Sequence, residues 1–503
     1  MKKHILLLLV ATAATSGSLY AQTLAENAFG FSQMNYGSTA RFKGMGGAQI
    51  GVGGDISSIS ANPAGLGLFT KSEFSLTPEF NAVSNKNSYL GNETKGTKNQ
   101  INLNNIGVVF YSPAVKAKGA DVNKGLVSSV FGLSYNRNND FLNNFQYSGT
   151  NNNSSIRDSY VEDAQTNGID NTIGGDAYRS FLINKDASNF PNQFSAEPYN
   201  NASFQQSGAE NRLGSTSEFN IAGALNFANK LYVGATASFV NVRYISDATF
   251  IESGILNSFN EDTNLYNGTE NFGLVQSRNQ ESKGTGVNLK LGMIFRPVSE
   301  LRIGVNIQSP TWMNVEDNTN VQLNNTLINY RSNNEPINFY SSYNLRTPLK
   351  ASGGLSYVFG GRALLSADVD YIDYSSMRFS SNDNSNMSDI NSSNNFIKNS
   401  YKETLNYRFG AEYKLDDQFS LRAGYGVNGN GIKDEFLGNS EAKYYTGGFG
   451  YRFENYYFDL TYQNYQIESL RSSPYLLNDF SEPVVDTKST RNNVFLTFGV
   501  RFL

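Results

Sequence analysis

Leu301, Ile303, Val305 and Ile307 alternate with Arg302, Gly304, Asn306 and Gln308; Leu405, Tyr407, Phe409, Ala411 and Tyr413 alternate with Asn406, Arg408, Gly410, Glu412 and Lys414. A period of two belongs to a strand with unlike faces, because successive Cβ atoms point to opposite sides of a sheet. Across the chain one face of such segments carries almost no charge. The other holds Lys290, Arg296, Arg302, Asp368, Asp370, Arg408, Glu412, Arg422, Arg452 and Asp459. A soluble sandwich shares a dry core between two sheets and turns its polar faces outward. An uncharged face repeated strand after strand instead predicts a closed wall whose outside meets lipid.

Fourteen segments follow this pattern: 72–80, 103–112, 126–136, 213–228, 231–246, 283–296, 301–310, 343–359, 363–375, 402–415, 418–428, 442–453, 456–467 and 491–502. An even number is what single-chain bacterial barrels use. Pro78 and Pro348 fall inside two of the segments and predict bulges or kinks, since proline cannot donate to a ladder. Tight connections such as Asn229-Lys230, Gly360-Gly361-Arg362, Asp416-Asp417 and Glu454-Asn455 alternate with long polar ones at 81–100, 137–212, 247–282, 311–342, 376–401, 429–441 and 468–490. That alternation predicts a short-turn periplasmic rim, a long-loop outer rim and both termini on the periplasmic side. The turn at 113–125 is longer than its class. Asn/Asp-rich loops such as 382–395 lack the ordered acidic spacing of a calcium loop.

Beyond residue 20 no apolar run reaches the length of a membrane helix. Residues 1–21 read as a secretory leader, with Lys2 and Lys3, an Ile5 to Val10 apolar stretch and small residues up to Ala21. The chain has no cysteine and one histidine, His4, inside that leader. Thiolate and His-based zinc sites, Ser-His and Cys-His nucleophile pairs and His-ligated haem are therefore not expected, nor is any other cofactor or metal. Asp368 and Asp370 share the inward face of one segment and predict lumen salt bridges rather than a catalytic pair. A net charge of -4 gives no reason to expect a nucleic-acid partner.

A cylinder of fourteen strands is too wide for its own side chains to fill, so the interior is a channel, a ligand cavity or a plugged lumen. The filler is expected at Arg41 to Leu68, where glycines at 44, 46, 47, 51, 53, 54, 65 and 67 surround scattered apolar residues. So much glycine weakens any free-standing element and suits backbone packed closely inside another structure. The organisation that follows is leader 1–21, plug 22–71 and barrel 72–503: an all-β transmembrane antiparallel barrel with its N-terminal segment in the lumen.

Phe31 to Ala48, Asp55 with Ser57 and Ser58, the box Asn62-Pro63-Ala64-Gly65-Leu66 and Ser366 to Ser375 together resemble the FadL/TodX family of outer-membrane transporters for hydrophobic compounds. The resemblance implies a monomeric barrel in the outer membrane of a Gram-negative bacterium, with no catalysis. It implies passive uptake of long-chain fatty acids or aromatic hydrocarbons, with release sideways into lipid. It assigns Asn62, Pro63, Ala64 and Gly65 to the hatch, as anchor or gate. Phe42, Met45, Ile50 and Ile56 are candidates for a ligand path, as are the loop aromatics Tyr160, Tyr178, Phe181, Phe190, Phe194 and Tyr199. The alternative is a structural or assembly barrel of a secretion or surface-attachment machinery, holding a protein partner through its long loops.

Overall fold

The computed structural model describes residues 17–119, 121, 123–185, 193–196, 203–260, 265–325, 332–381, 387–434, 437–477 and 481–502. Fourteen antiparallel strands form the wall. They are β1 (Ser72–Tyr89), β2 (Asn92–Pro113), β3 (Leu126–Asp140), β4 (Phe204–Phe227), β5 (Leu231–Asn260), β6 (Leu265–Phe295) and β7 (Leu301–Gln308), followed by β8 (Lys350–Phe359), β9 (Ala363–Asp373), β10 (Glu403–Lys414), β11 (Phe419–Asn428), β12 (Gly438–Phe453), β13 (Tyr456–Ser472) and β14 (Val485–Phe502). Each pairs with the next, and β14 pairs back onto β1 from Phe502 opposite Ser72 to Val485 opposite Tyr89. The ring of strands is closed.

Every expected strand is present, but most run further outward than their apolar alternation. The stretches 81–100, 247–260 and 265–282, expected within loops, belong to the tops of the β1–β2 and β5–β6 hairpins. Residues 312–325 and 337–346, within and beside another expected loop, pair as a ribbon above β7 and β8. Above the lipid the outer face meets water, and the buried inner face is often polar, as at Asn81, Asn85, Asn87 and Ser282, so no consistently apolar side is selected and the sequence signal vanishes while the ladder continues. The expected strand 343–359 is split at 347–349 around Pro348, and the β1–β2 register shifts at Thr77/Pro78. Arg296 falls in the periplasmic turn, where its guanidinium donates to the Ser299 carbonyl at 2.6 Å, rather than on a strand face.

The outward rows match the lipid reading. Leu291 is 64% exposed and Phe409 52%, with Ile307, Leu355, Leu421 and Leu460 similarly open, and no charged residue interrupts these rows. Of the inward ions, Lys290, Asp368, Asp370, Arg408, Glu412, Arg422 and Asp459 are buried, whereas Arg302 is half-buried and Arg452 is exposed beside the β12–β13 turn. Among the described residues no helix is long and apolar enough to cross a membrane. The helices lie within or above the ring: α1 (Gly17–Ser32), α2 (Ala40–Gly44), α3 (Ser58–Ala61), α4 (Ile156–Asn167), α5 (Ile173–Arg179) and α6 (Met387–Ser400). Of the proposed leader only 17–21, the start of α1, is described; His4 lies outside the described residues.

Candidate functional site

From Gln33 to Phe69 the chain makes little regular structure, so its backbone groups need partners from elsewhere. The wall supplies them. Thr497 Oγ1 accepts from Ala40 N at 2.7 Å, and Thr461 Oγ1 donates to Ala40 O at 2.6 Å. Thr446 Oγ1 serves Gly44 O and Gly46 N, Ser366 Oγ donates to Ala48 O, Ser356 Oγ to Gly51 O and Thr236 Oγ1 to Ile59 O. Arg302 donates to Val52 O at 2.6 Å. Asp368 accepts from both Gln49 N (2.6 Å) and Ile50 N (2.9 Å).

Buried ion pairs frame the same interface. Asp370 pairs with Arg408 at 2.6 Å and Lys350 at 3.1 Å, and the Lys350 ammonium lies 3.8 Å from the centre of the Tyr36 ring. Glu412 binds Arg41 (2.9 Å) and Arg422 (2.7 Å), and Arg422 binds Asp459 (2.6 Å). Lys290 and Glu218 are 2.6 Å apart and almost wholly buried. Asp368 and Asp370 are thus an anchor and a salt-bridge acceptor, each with its own partners.

Wall glycines, unremarked in the sequence reading, set how closely the segment approaches. A Cβ on Gly234 would meet the Pro63 carbonyl, one on Gly292 the Asn62 amide, one on Gly304 or Gly354 the chain at Ile50-Gly51, one on Gly410 the Met45 carbonyl, and one on Gly424 the Gly46 nitrogen. Cross-strand partnership links several of them, Gly234 with Gly292, Gly304 with Gly354 and Gly410 with Gly424. Glycine within a strand marks close backbone approach, and that was the available signal.

The box residues bind to this frame. Asn62 Oδ1 accepts from Ala64 N (3.2 Å) and Nδ2 donates to Ile50 O (2.7 Å), which caps the 3₁₀ turn Pro63–Leu68. Ala64 packs on Tyr232 and Ile294. Gly65 O accepts from Gly54 N, and a Cβ on Gly65 would strike Ser58 and Gly53. The four apolar path candidates are all fully buried but not together. Phe42 and Met45 pack with Val52 and Leu364, Ile50 with Tyr36 and Ala61, and Ile56 with Ile59, Leu66, Phe69 and the wall residues Val109 and Val130.

Above this floor lies an apolar chamber. Leu24, Ala25, Ala28, Phe29 and Phe31 of α1 meet Ile390 and Ile397 of α6 and the wall residues Val240, Val242, Met313, Val315, Ile372 and Tyr374. Phe29 stacks on Tyr401 at 4.8 Å, and Phe31 meets the edges of Phe141 and Tyr244. A groove of ≈ 610 Å³ opens outward beside Leu24 and Ile390, between Arg278, Asp317, Phe339 and Tyr340.

The wall itself is parted in one place. β2 and β3 pair only from Pro113/Ser128 up to Asn105/Asn136. Beyond this β3 bends inward at Phe141-Leu142, and residues 143–151 resume pairing with β4 alone. Just inside is a cavity of ≈ 80 Å³ lined by Tyr36, Lys43, Glu79, Asn104, Arg137 and Asp140 among others. Arg137 bridges Asp140 (3.2 Å) and Glu79 (3.9 Å) there, and Asp140 also accepts from Asn81 and Asn102.

A cap with its own core covers the outer end. Tyr160 and Phe194 are buried with Leu182, Phe204, Phe250 and Phe272; Tyr178 packs at the edge, and Phe181 is 46% exposed. Phe190 and Tyr199 lie outside the described residues. The Arg157 guanidinium sits 4.8 Å from the Phe272 ring centre. Tyr475 OH meets Ser154, Gln206 and Asn151, and burial pushes it up to about 12, so it stays a neutral hydroxyl.

The model of the family described as outer membrane protein transport protein (OMPP1/FadL/TodX) matches residues 187–470, more than half of the 503. No curated protein matches the chain. Among solved structures, a Pseudomonas aeruginosa FadL homologue is 13% identical, with 92% of this chain and 98% of that one covered at a TM-score of 0.50. The Pseudomonas putida toluene transporter TodX is 13% identical, with 94% and 100% covered at 0.50. A TodX monoaromatic hydrocarbon channel mutant is 12% identical, with 93% and 99% covered at 0.53. At these identities the likeness is one of fold.

Proposed function

Because this chain belongs to the OMPP1/FadL/TodX family of outer membrane transport proteins, we propose that it admits hydrophobic small molecules passively and releases them sideways into the membrane. The ligand class is long-chain fatty acid or aromatic hydrocarbon. The solved proteins of like fold include a toluene transporter, and the family match favours transport over a structural or assembly role. Residues 22–71 are the hatch, and the barrel works as a monomer and as a channel, with no bond made or broken.

The observation that carries this reading is the parted β2–β3 ladder. The ladder parts about ten residues above the start of β3, at the outer edge of the apolar band, where an unpaired edge is costly unless it lines a cavity, and here one does. An apolar ligand gains roughly 25 cal/mol for each Å² removed from water, so a route from groove to chamber to seam spares it rehydration. Since the chamber is filled by α1 and the cavity at the seam is polar, passage requires residues 24–47 to shift. Asn62 to Gly65 stay behind as the anchor, and Phe42, Met45, Ile50 and Ile56 hold the packing that moves or stays with them.

The chain has no cysteine, which makes a cross-link test clean. Leu103→Cys with Asn138→Cys, bridged by a short bis-maleimide, would staple the seam. Uptake of a labelled long-chain fatty acid or toluene should stop and return when the pair is left unbridged. Undiminished uptake in the stapled, heat-modifiable barrel would refute release through this wall.

A further inference from the structure

On the outer wall, one row of paired residues crosses five strands: Tyr135 faces Phe219, Phe219 faces Phe239, Phe239 faces Val287 and Val287 faces Trp312. Phe239 lies eight residues above the periplasmic start of β5. At about 3.3 Å per residue and a tilt of about 40°, that puts Phe239 about 20 Å up, at the outer edge of the apolar band. The next outward row, Ser217, Asn241, Thr285 and Asn314, carries hydroxyls and amides, with Arg137 opposite Ser217 at the seam. The row above carries charge: Arg243 and Lys283 share Glu281, each at 3.0 Å, and Glu316 stands across the ladder from Lys283.

Two concavities follow these rows. One, of ≈ 570 Å³, is lined by Phe219, Phe239, Asn241, Thr285 and Trp312. The other, of ≈ 640 Å³, continues outward over Lys283, Asn314, Glu316 and Tyr340, the last 75% exposed. Aromatic faces pack on acyl chains and on the C–H faces of sugar rings, and amides, hydroxyls and carboxylates suit a hydroxyl-rich headgroup.

We propose that this face seats one glycolipid of the outer leaflet. Its acyl chain lies along Phe219, Phe239 and Trp312, and its saccharide headgroup lies across Asn241, Thr285 and Asn314. Two cations set against two carboxylates give that row no net charge, so recognition rests on the headgroup's hydroxyls rather than on its phosphates. The order of the rows, apolar, aromatic, amide and then charged, matches the order of chemistry across a glycolipid at that depth.

Trp312 is the chain's single tryptophan, so its emission reports this site alone. The full-length barrel in detergent micelles is titrated with lipopolysaccharide, with a phosphatidylethanolamine of equal acyl length, and with the oligosaccharide freed of its lipid. Lipopolysaccharide should give a saturable change at one per barrel, and the other two should not. Asn241→Leu and Asn314→Leu, or Thr285→Val if either fails to fold, should each weaken it about fivefold, as the loss of one hydrogen bond predicts. The same curve for the phospholipid, or unaltered titration in a folded variant, overturns the proposal. Equal binding of the free oligosaccharide would show a soluble glycan site and overturn the lipid part.

Discussion

The lower and upper halves of the lumen are filled by opposite means. Near the periplasm, residues 40–68 are held by directional contacts: Asp368 on two backbone nitrogens, a set of wall hydroxyls on carbonyls, and the Asp370–Arg408 and Glu412–Arg422 pairs beneath. Toward the outside, α1 is held by apolar burial on α6 and the wall. Directional contacts in a dry interior have one satisfactory geometry and are costly to leave half made. Apolar burial is indifferent to what fills the space. Under the proposed function, a hydrophobic ligand stands in for α1 and the segment below it stays in place.

The largest effect is expected in the lower half. Asp370→Ala strips Arg408 and Lys350 of their shared carboxylate and should cost about 3–5 kcal/mol. A lower urea midpoint and larger single-channel conductance in planar bilayers would register it. Next, Phe29→Ala should cost about 3 kcal/mol, and an excess of a small hydrocarbon should restore part of that by occupying the space. If hydrocarbon rescues Asp370→Ala equally well, the contrast between the halves fails. Asn62→Ala removes the cap on Ala64 and the bond to Ile50 O, and should cost about 1–2 kcal/mol with brief conductance bursts. Lys86→Ala, in an exposed pair with Glu93, should change the midpoint by less than about 1 kcal/mol and leave conductance alone.

The wall was legible wherever lipid enforced a dry face. Leu301 to Gln308 and Leu405 to Lys414 announced themselves, whereas Lys86, Asn279 and Asn318, all on real ladders, did not, because there water covers the outer face and the buried neighbours Asn85, Asn87, Gln280 and Asp317 are polar, which leaves no apolar pattern. The same logic governs the candidate site. The glycines of residues 41–68 pointed to close backbone packing, but the matching glycines at 234, 292, 304, 354, 410 and 424 read as ordinary interruptions in strands. The path candidates Phe42, Met45, Ile50 and Ile56 were chosen as apolar residues in a plug, and residue type alone could not sort them into three separate clusters. Neither the β2–β3 seam nor the inward bend at Phe141 had any local signal, since each depends on how far a partner strand follows.

By itself the sequence determined that this is a two-faced strand protein, ionic inside and greasy outside, with a glycine-laden segment meant for close quarters. Those are consequences of side-chain period and composition, which each stretch carries locally. Only the tertiary structure decided which wall residue serves which carbonyl, where the ladder parts and that α1 fills the chamber a ligand would need. Those depend on register and closure, which couple residues hundreds of positions apart.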